Sequence, residues 1–387
     1  MTAWALPENI EDILPADAGK LERMRRTTLD IFASHGYQLV MPPMLEYVES
    51  LLSGVGRDMD LATFKLVDQL SGRMMGLRAD TTPQVARIDA HVLNRDGVTR
   101  LCYAGSVLHT RPSGLGKSRQ PFQVGAELYG HAGIDADIEV QQLMLETLAA
   151  FGIHEAKIDI GHSEIFRALV DDAGVSSSER EMLFAAVTAK DIPALNDFSS
   201  VNGGRTSSLA ALPGLYGYGA DSATIIKRAR RELPNSDRVM HALDELEQVV
   251  AYFMSRSIGV SIDLSELGGF NYESGIAFAA YVDGASDAVG RGGRYDDIGR
   301  VFGRARPATG FSMDLKALLP LVPDKIPKGS PILAPKDPDE SAVAAMTLLR
   351  CEGEVVIKRL ENSAIECDRE LKLLNGQWQV VPIKDKA

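Results

Sequence analysis

Between Gln120 and Gly130 the chain reads QPFQVGAELYG, and the alternation in this stretch constrains the fold more than any other segment. In an extended strand Phe122, Val124, Ala126 and Leu128 share one face, and Gln123, Gly125, Glu127 and Tyr129 share the other. A strand with one apolar and one polar face fits a sheet packed on one side, not a parallel sheet buried on both. Gly125 leaves a gap in the middle of the polar face, between Gln123 and Glu127.

Neighbouring segments supply the layers for such a sheet. Asp17 is placed to cap a helix carrying Leu21, Met24, Ile31 and Phe32 at helical spacing, with Gly36 closing it. YQLVMPPMLEY reads as a strand broken at Pro42 and Pro43, a boundary suited to another subunit. LRADTTPQVARIDAHVL puts Asp80 and Thr82 at a helix entrance, Pro83 in the first turn, and Val85, Ile88 and Val92 on the buried stripe. A second amphipathic helix precedes Gly152, and KIDIGH, VSIDLSEL, GFNY and IAFAAYV read as strands. Residues from about 163 to 253 look mainly helical and inserted. The linker LVPDKIPKGSP separates a core, 1–325, from a small unit, 329–387, with a strand at Ile332–Ala334, a helix over Ser341–Leu349, and a hairpin turning at Asn375-Gly376. The expected class is α+β.

Charge and composition exclude several functions. The 41 Lys plus Arg stand against 53 Asp plus Glu, a formal net of −12, which disfavours a general nucleic-acid binder. The three cysteines, Cys102, Cys351 and Cys367, form no CxxC pair and leave one unmatched in any disulfide scheme; they read as small buried apolar residues of a chain in the reducing cytoplasm. No basic, apolar leader opens the sequence and no run is long enough to span a membrane. None of the seven histidines sits at metal-ligand spacing, so neither metal nor cofactor is expected.

Two glycine motifs have competing readings. GLGKS fails as a phosphate loop because a glycine is required at position 111, which is Arg111; a turn between strands is the simpler account. VGRGGRYDD either cradles a phosphate or makes a tight connection needing positive φ. The basic run IIKRARRE reads as a solvated helix face. The polar stripe with Gln123 and Glu127 is either an ordinary half-exposed face or, with Asp80, one side of a cleft whose two carboxylates suit an ammonium or imidazolium.

The order GYQLVMPPMLE, LRADTTPQVAR, RPSGLGKSRQPFQVGAELYG, LGGFNYESGIAF, GRGGRYDD, TGFSMDL resembles the catalytic core of histidyl-tRNA synthetase, a class II aminoacyl-tRNA synthetase. The resemblance implies an antiparallel six-stranded sheet flanked by helices and a homodimer built near Pro43. It also implies that histidine is held by positions matching Asp80, Thr82, Gln123, Glu127 and Tyr272. Departures from the pattern decide the function. The arginine before the family's Gly-Leu-Asp-Tyr-Tyr signature is matched by Gly268, and the second tyrosine by Glu273. The Glu-Arg-Leu that ends the third motif is Lys316, Ala317, Leu318. In the second motif no arginine occurs until Arg111. Adenylation needs fixed cations for the charge developing on phosphate, and losing one preorganised donor costs on the order of 100- to 1000-fold.

A synthetase-like core without these arginines, followed by a tail too short for an anticodon domain, is similar to the ATP phosphoribosyltransferase regulatory subunits of bacterial histidine biosynthesis. That resemblance implies a non-catalytic protein that activates a short-form catalytic subunit and confers feedback inhibition by L-histidine. The alternative is a residual ligase that adenylates an amino acid or a protein side chain, with Arg111 and Arg119 as substitute anion contacts. A tRNA partner would want a basic surface, which this chain does not offer.

Overall fold

A computed structural model describes residues 4–54, 56–112, 114, 117–219, 221–267, 273–323, 330–360 and 367–383. Contacts divide the chain into two units, Met1–Pro323 and Asp324–Ala387.

Among the described residues the first unit contributes twelve strands in chain order. They are β1 (Gln38–Leu39), β2 (Leu45–Tyr47), β3 (Phe64–Val67), β4 (Met74–Leu77), β5 (Thr99–Ser106) and β6 (Phe122–Tyr129). After them come β7 (Lys157–His162), β8 (Tyr216–Tyr218), β9 (Val260–Asp263), β10 (Ile276–Tyr281), β11 (Gly290–Arg294) and β12 (Ala308–Asp314). Nine of these form one sheet in the order β1-β5-β6-β12-β11-β10-β7-β9-β8. The six strands from β5 to β7 are antiparallel neighbours, as the class II resemblance implies. Parallel pairs at β1–β5 and β7–β9 extend the sheet on both sides and make it mixed. β2, β4 and β3 form a separate antiparallel sheet of three.

The β6 alternation explains how the layers assemble. Val124, Ala126 and Leu128 pack into the main core with Phe32, Met144 and Leu148, from helices Pro15–Ser34 and Ile134–Ala150. Phe32 meets Phe311 of β12 edge-on, with ring centroids 5.8 Å apart. The polar face is covered too: Tyr129 joins Val85, Leu101, Tyr103 and Tyr295 in a second cluster. The face that reads as half-exposed is therefore an internal wall.

Several local expectations need correction. The first helix begins at Pro15 after Leu14, and Asp17 lies in its first turn instead of capping it. Proline suits that first position because the N–H it lacks would have no helical partner. Val92 is exposed, because residues Ile88–Leu93 form a π-helical turn that rotates it away from the stripe of Val85. The segment 163–253 is mainly helical, but β8 within it pairs with β9, so the insertion completes the main sheet. The basic run lies on helix Asp221–Glu232, where Arg228 pairs with Glu232 and Arg230 with Asp244 and Glu247. Cys102 is buried, whereas Cys351 is exposed and Cys367 half-buried. Burial pushes the Cys102 thiol up to about 12. The GFNY stretch, expected as a strand, lies outside the described residues.

The second unit is a four-stranded sheet, β14-β13-β15-β16, formed by β13 (Ile332–Ala334), β14 (Val356–Lys358), β15 (Arg369–Leu374) and β16 (Gln377–Pro382). Helix Glu340–Cys351 packs on it through Met346, its entry capped by Asp339, which accepts from the Ala342 N–H at 2.7 Å. Asn375 and Gly376 both take positive φ, 52° and 78°, as the type I′ turn requires.

Candidate functional site

The polar face of β6 opens onto a cavity of about 500 Å³, to which Asp80, Thr82, Glu127, Glu266, Glu273 and Arg291 all contribute. Helix Thr82–Arg87 enters at its edge. Asp80 is set by two bonds: it accepts from Gln123 Nε2 at 2.7 Å and from the Thr82 N–H at 3.2 Å. Gln123 is fixed in turn by accepting from the Thr81 N–H at 3.0 Å. Thr82 Oγ1 donates to Glu127 Oε1 at 3.1 Å and lies 3.1 Å from the Tyr103 hydroxyl. The Tyr295 hydroxyl donates to the other oxygen, Glu127 Oε2. Asp80, Thr82, Gln123 and Glu127 thus form one hydrogen-bonded group.

The group is tuned by burial. Glu127 is 1% exposed. Desolvation pushes its carboxyl well above the ordinary value, the nearby Asp80 charge adds to the shift, and bonds from Thr82 and Tyr103 oppose it. A cation placed between Asp80 and Glu127 would favour the ionised carboxyl and oppose the shift.

Small residues make the floor. Gly125 does not leave an open gap, because the ring of Tyr103 fills it: a Cβ there would overlap the Tyr103 hydroxyl. Gly310, paired with Glu127 across the sheet, lies where a Cβ would overlap Glu127 Oε2. The glycines of VGRGGRYDD belong to β11 and have no positive φ, so the tight-turn reading fails. They are needed for close approach, since a Cβ at Gly292 would overlap the carbonyl oxygen of Gly310.

Residues 9–318 match the histidyl-tRNA synthetase family, and residues 329–381 match the C-terminal domain of ATP phosphoribosyltransferase subunit HisZ. An ATP phosphoribosyltransferase regulatory subunit from Cupriavidus necator is 53% identical over 387 residues, spanning 98% of this chain and 99% of that protein. The chain belongs to the family of ATP phosphoribosyltransferase regulatory subunits. A Burkholderia cenocepacia regulatory subunit is 50% identical over 99% of this chain and 100% of its own length. A solved ATP phosphoribosyltransferase regulatory subunit/histidyl-tRNA synthetase from Bacillus halodurans superposes with a TM-score of 0.77 at 27% identity, over 94% of this chain and 95% of that one. Histidyl-tRNA synthetase from Nostoc sp. shares the fold alone: TM-score 0.77, 16% identity, 99% of this chain and 97% of that one. As a member of the regulatory-subunit family, the chain is a non-catalytic paralogue on a class II synthetase fold.

The other sequence candidates fall in different places in this regulatory subunit. Gly268 and Tyr272 lie outside the described residues, but Glu266 and Glu273 on either side of them line the cavity. Ala317 is exposed on the short helix Leu315–Leu318 and does not line it. Arg111 borders a separate hollow with Asp58, His109 and Thr110. Arg119 donates to the carbonyl oxygens of His109 at 3.1 Å and Glu8 at 3.4 Å. Pro43 is exposed, and its carbonyl accepts from Gln84 Nε2 at 2.8 Å. Among the described residues no group of three or more His, Cys, Asp or Glu side chains could hold a metal ion. No described helix is long and apolar enough to cross a membrane.

Tyr103, Tyr295, Glu266 and Arg291 escaped the sequence reading. The signal for two of them was present: Arg291, Gly293 and Tyr295 alternate just as the β6 residues do, a pattern hidden by reading the glycines as a turn.

Proposed function

We propose that this chain, as a homodimer, docks with a short-form ATP phosphoribosyltransferase catalytic subunit, activates the first step of histidine biosynthesis, and transmits feedback inhibition by L-histidine bound in the β6 cavity. The observation that carries the histidine assignment is the single bonded group of Asp80, Thr82, Gln123 and Glu127, two carboxylates spaced by neutral donors on the wall of one cavity. An α-ammonium fits Asp80 and Thr82, and an imidazolium N–H fits Glu127, whose raised proton affinity falls when a cation arrives. The relatives named for the regulatory subunit support the partner, and the matched C-terminal domain, residues 329–381, supports the division into a core, 1–325, and a distinct tail, 329–387. We place the chain's work in the cytoplasm, where three unpaired cysteines stay reduced.

Mixing the full chain with a short-form catalytic subunit is expected to raise phosphoribosyl-ATP formation and to make it histidine-sensitive. Asp80→Asn and Glu127→Gln should each weaken inhibition by roughly 10- to 100-fold while complex formation by size exclusion persists. Undiminished inhibition in both variants would move the effector elsewhere; absence of a complex would remove the docking reading.

A further inference from the structure

Resting on the reading of the cavity as an amino-acid pocket, we infer that Arg291 of β11 is its carboxylate-recognition residue. The argument is one of register. Glu127, Gly310 and Gly293 face one another across β6, β12 and β11, and the next row on the same face is Gly125, Ser312 and Arg291. Directly paired residues in an antiparallel sheet point their side chains to the same side. The Glu127 and Arg291 side chains therefore rise from one face, two strands apart and one row along, so that their backbones are about 12 Å apart at the usual strand spacing and rise. Only Gly310, Ser312 and Gly293 stand between them, so the floor is almost bare backbone. A free α-amino acid with a cationic side chain has the matching dipole: positive groups toward Asp80 and Glu127, carboxylate toward Arg291.

Charge sharpens the assignment. Of the described residues lining the cavity, Arg291 is the one basic side chain, against Asp80, Glu127, Glu266 and Glu273. It meets each of its acidic partners through a single bond, Nη1 to Glu266 Oε1 at 3.3 Å and Nη2 to Asp287 Oδ1 at 3.1 Å, and also faces the Tyr281 side chain. Neither is the paired fork that a guanidinium makes with a carboxylate, and the side chain remains half exposed, so it is free to turn. Asp287 would not be stranded by the move, because Lys117 Nζ already holds its other oxygen at 2.5 Å. A ligand carboxylate would exchange two single contacts to separate carboxylates for one bidentate pair.

Calorimetric titration of the full chain with L-histidine and with histamine, which lacks the carboxylate, tests the assignment. L-histidine is expected to bind the parent chain at least about 10-fold more tightly than histamine. Arg291→Gln should lose roughly 10- to 100-fold for L-histidine, with histamine unchanged, and Arg291→Lys should recover part of the loss. An equal loss for both ligands would mean that Arg291 only braces the wall, and no loss for either would mean that it does not touch the ligand; both results overturn the inference. Asp80→Asn distinguishes failure at the level of the pocket itself. If it weakens neither ligand, or if the parent chain binds neither, the amino-acid pocket falls and the role of Arg291 falls with it.

Discussion

Glu127 concentrates the conflict between stability and binding in one side chain. Burial first, and then the charge of Asp80, raise its proton affinity in the folded protein above the ordinary value of 4.5. The folded state then prefers the protonated carboxyl. Stability associated with it is complete below about pH 4.5 and is lost as pH rises through the folded value, because the unfolded chain ionises first. Thermal unfolding of the parent and Glu127→Gln between about pH 5 and 8 should show the variant gaining on the parent as pH rises; a constant difference would count against this. The four bonded residues of the pocket, Asp80, Thr82, Gln123 and Glu127, were legible in the sequence because strand alternation and a helix entrance each fix where short polar side chains point. Tyr103 was not, since its approach to Thr82 depends on which strands lie adjacent, and register between distant segments leaves no local trace; Arg291 left a local alternation, but its place beside the pocket depends on the same register.

At the scale of elements, the start of helix Ile134–Ala150 is tied to β11 by a buried pair. Arg294 bonds Asp137 Oδ2 through Nε at 3.1 Å and Nη2 at 2.5 Å, and also donates to the carbonyl oxygens of His131 and Gly133. The guanidinium thereby closes the loop before the helix and positions the strand that carries Arg291 and Gly293. Arg294→Met leaves Asp137 buried without its cation, and such a break costs about 3–5 kcal/mol. Urea unfolding should register this, and Asp137→Asn in the same chain should restore part of it. Strands with clear alternation and helices with strong apolar stripes were readable one by one. The mixed sheet was not: β1 and β8 are only two and three residues long, too short for periodicity to reveal, and tertiary pairing alone makes them strands.

On the scale of the whole molecule, the apolar surface near Pro43 stands out. Met41, Leu45, Leu66, Val67, Leu70 and Met74 are exposed on or beside the three-stranded sheet of β2, β4 and β3, and Leu70 is 98% exposed. Leu45 and Leu66 share one face of this small sheet and Val67 and Met74 the other, and exposed apolar side chains around Pro43 in a chain with a net charge of −12 suit cover by a second copy. Met41→Glu combined with Leu66→Glu should halve the mass measured by light scattering and leave the far-ultraviolet circular dichroism unchanged; an unaltered mass would put the dimer contact elsewhere.

The main sheet ends at both margins in strands of two and three residues, β1 and β8. These two strands themselves offer few peptide groups to recruit a foreign strand. A partner that meets the main sheet at these two margins finds a two- or three-residue strand and, beyond it, side chains.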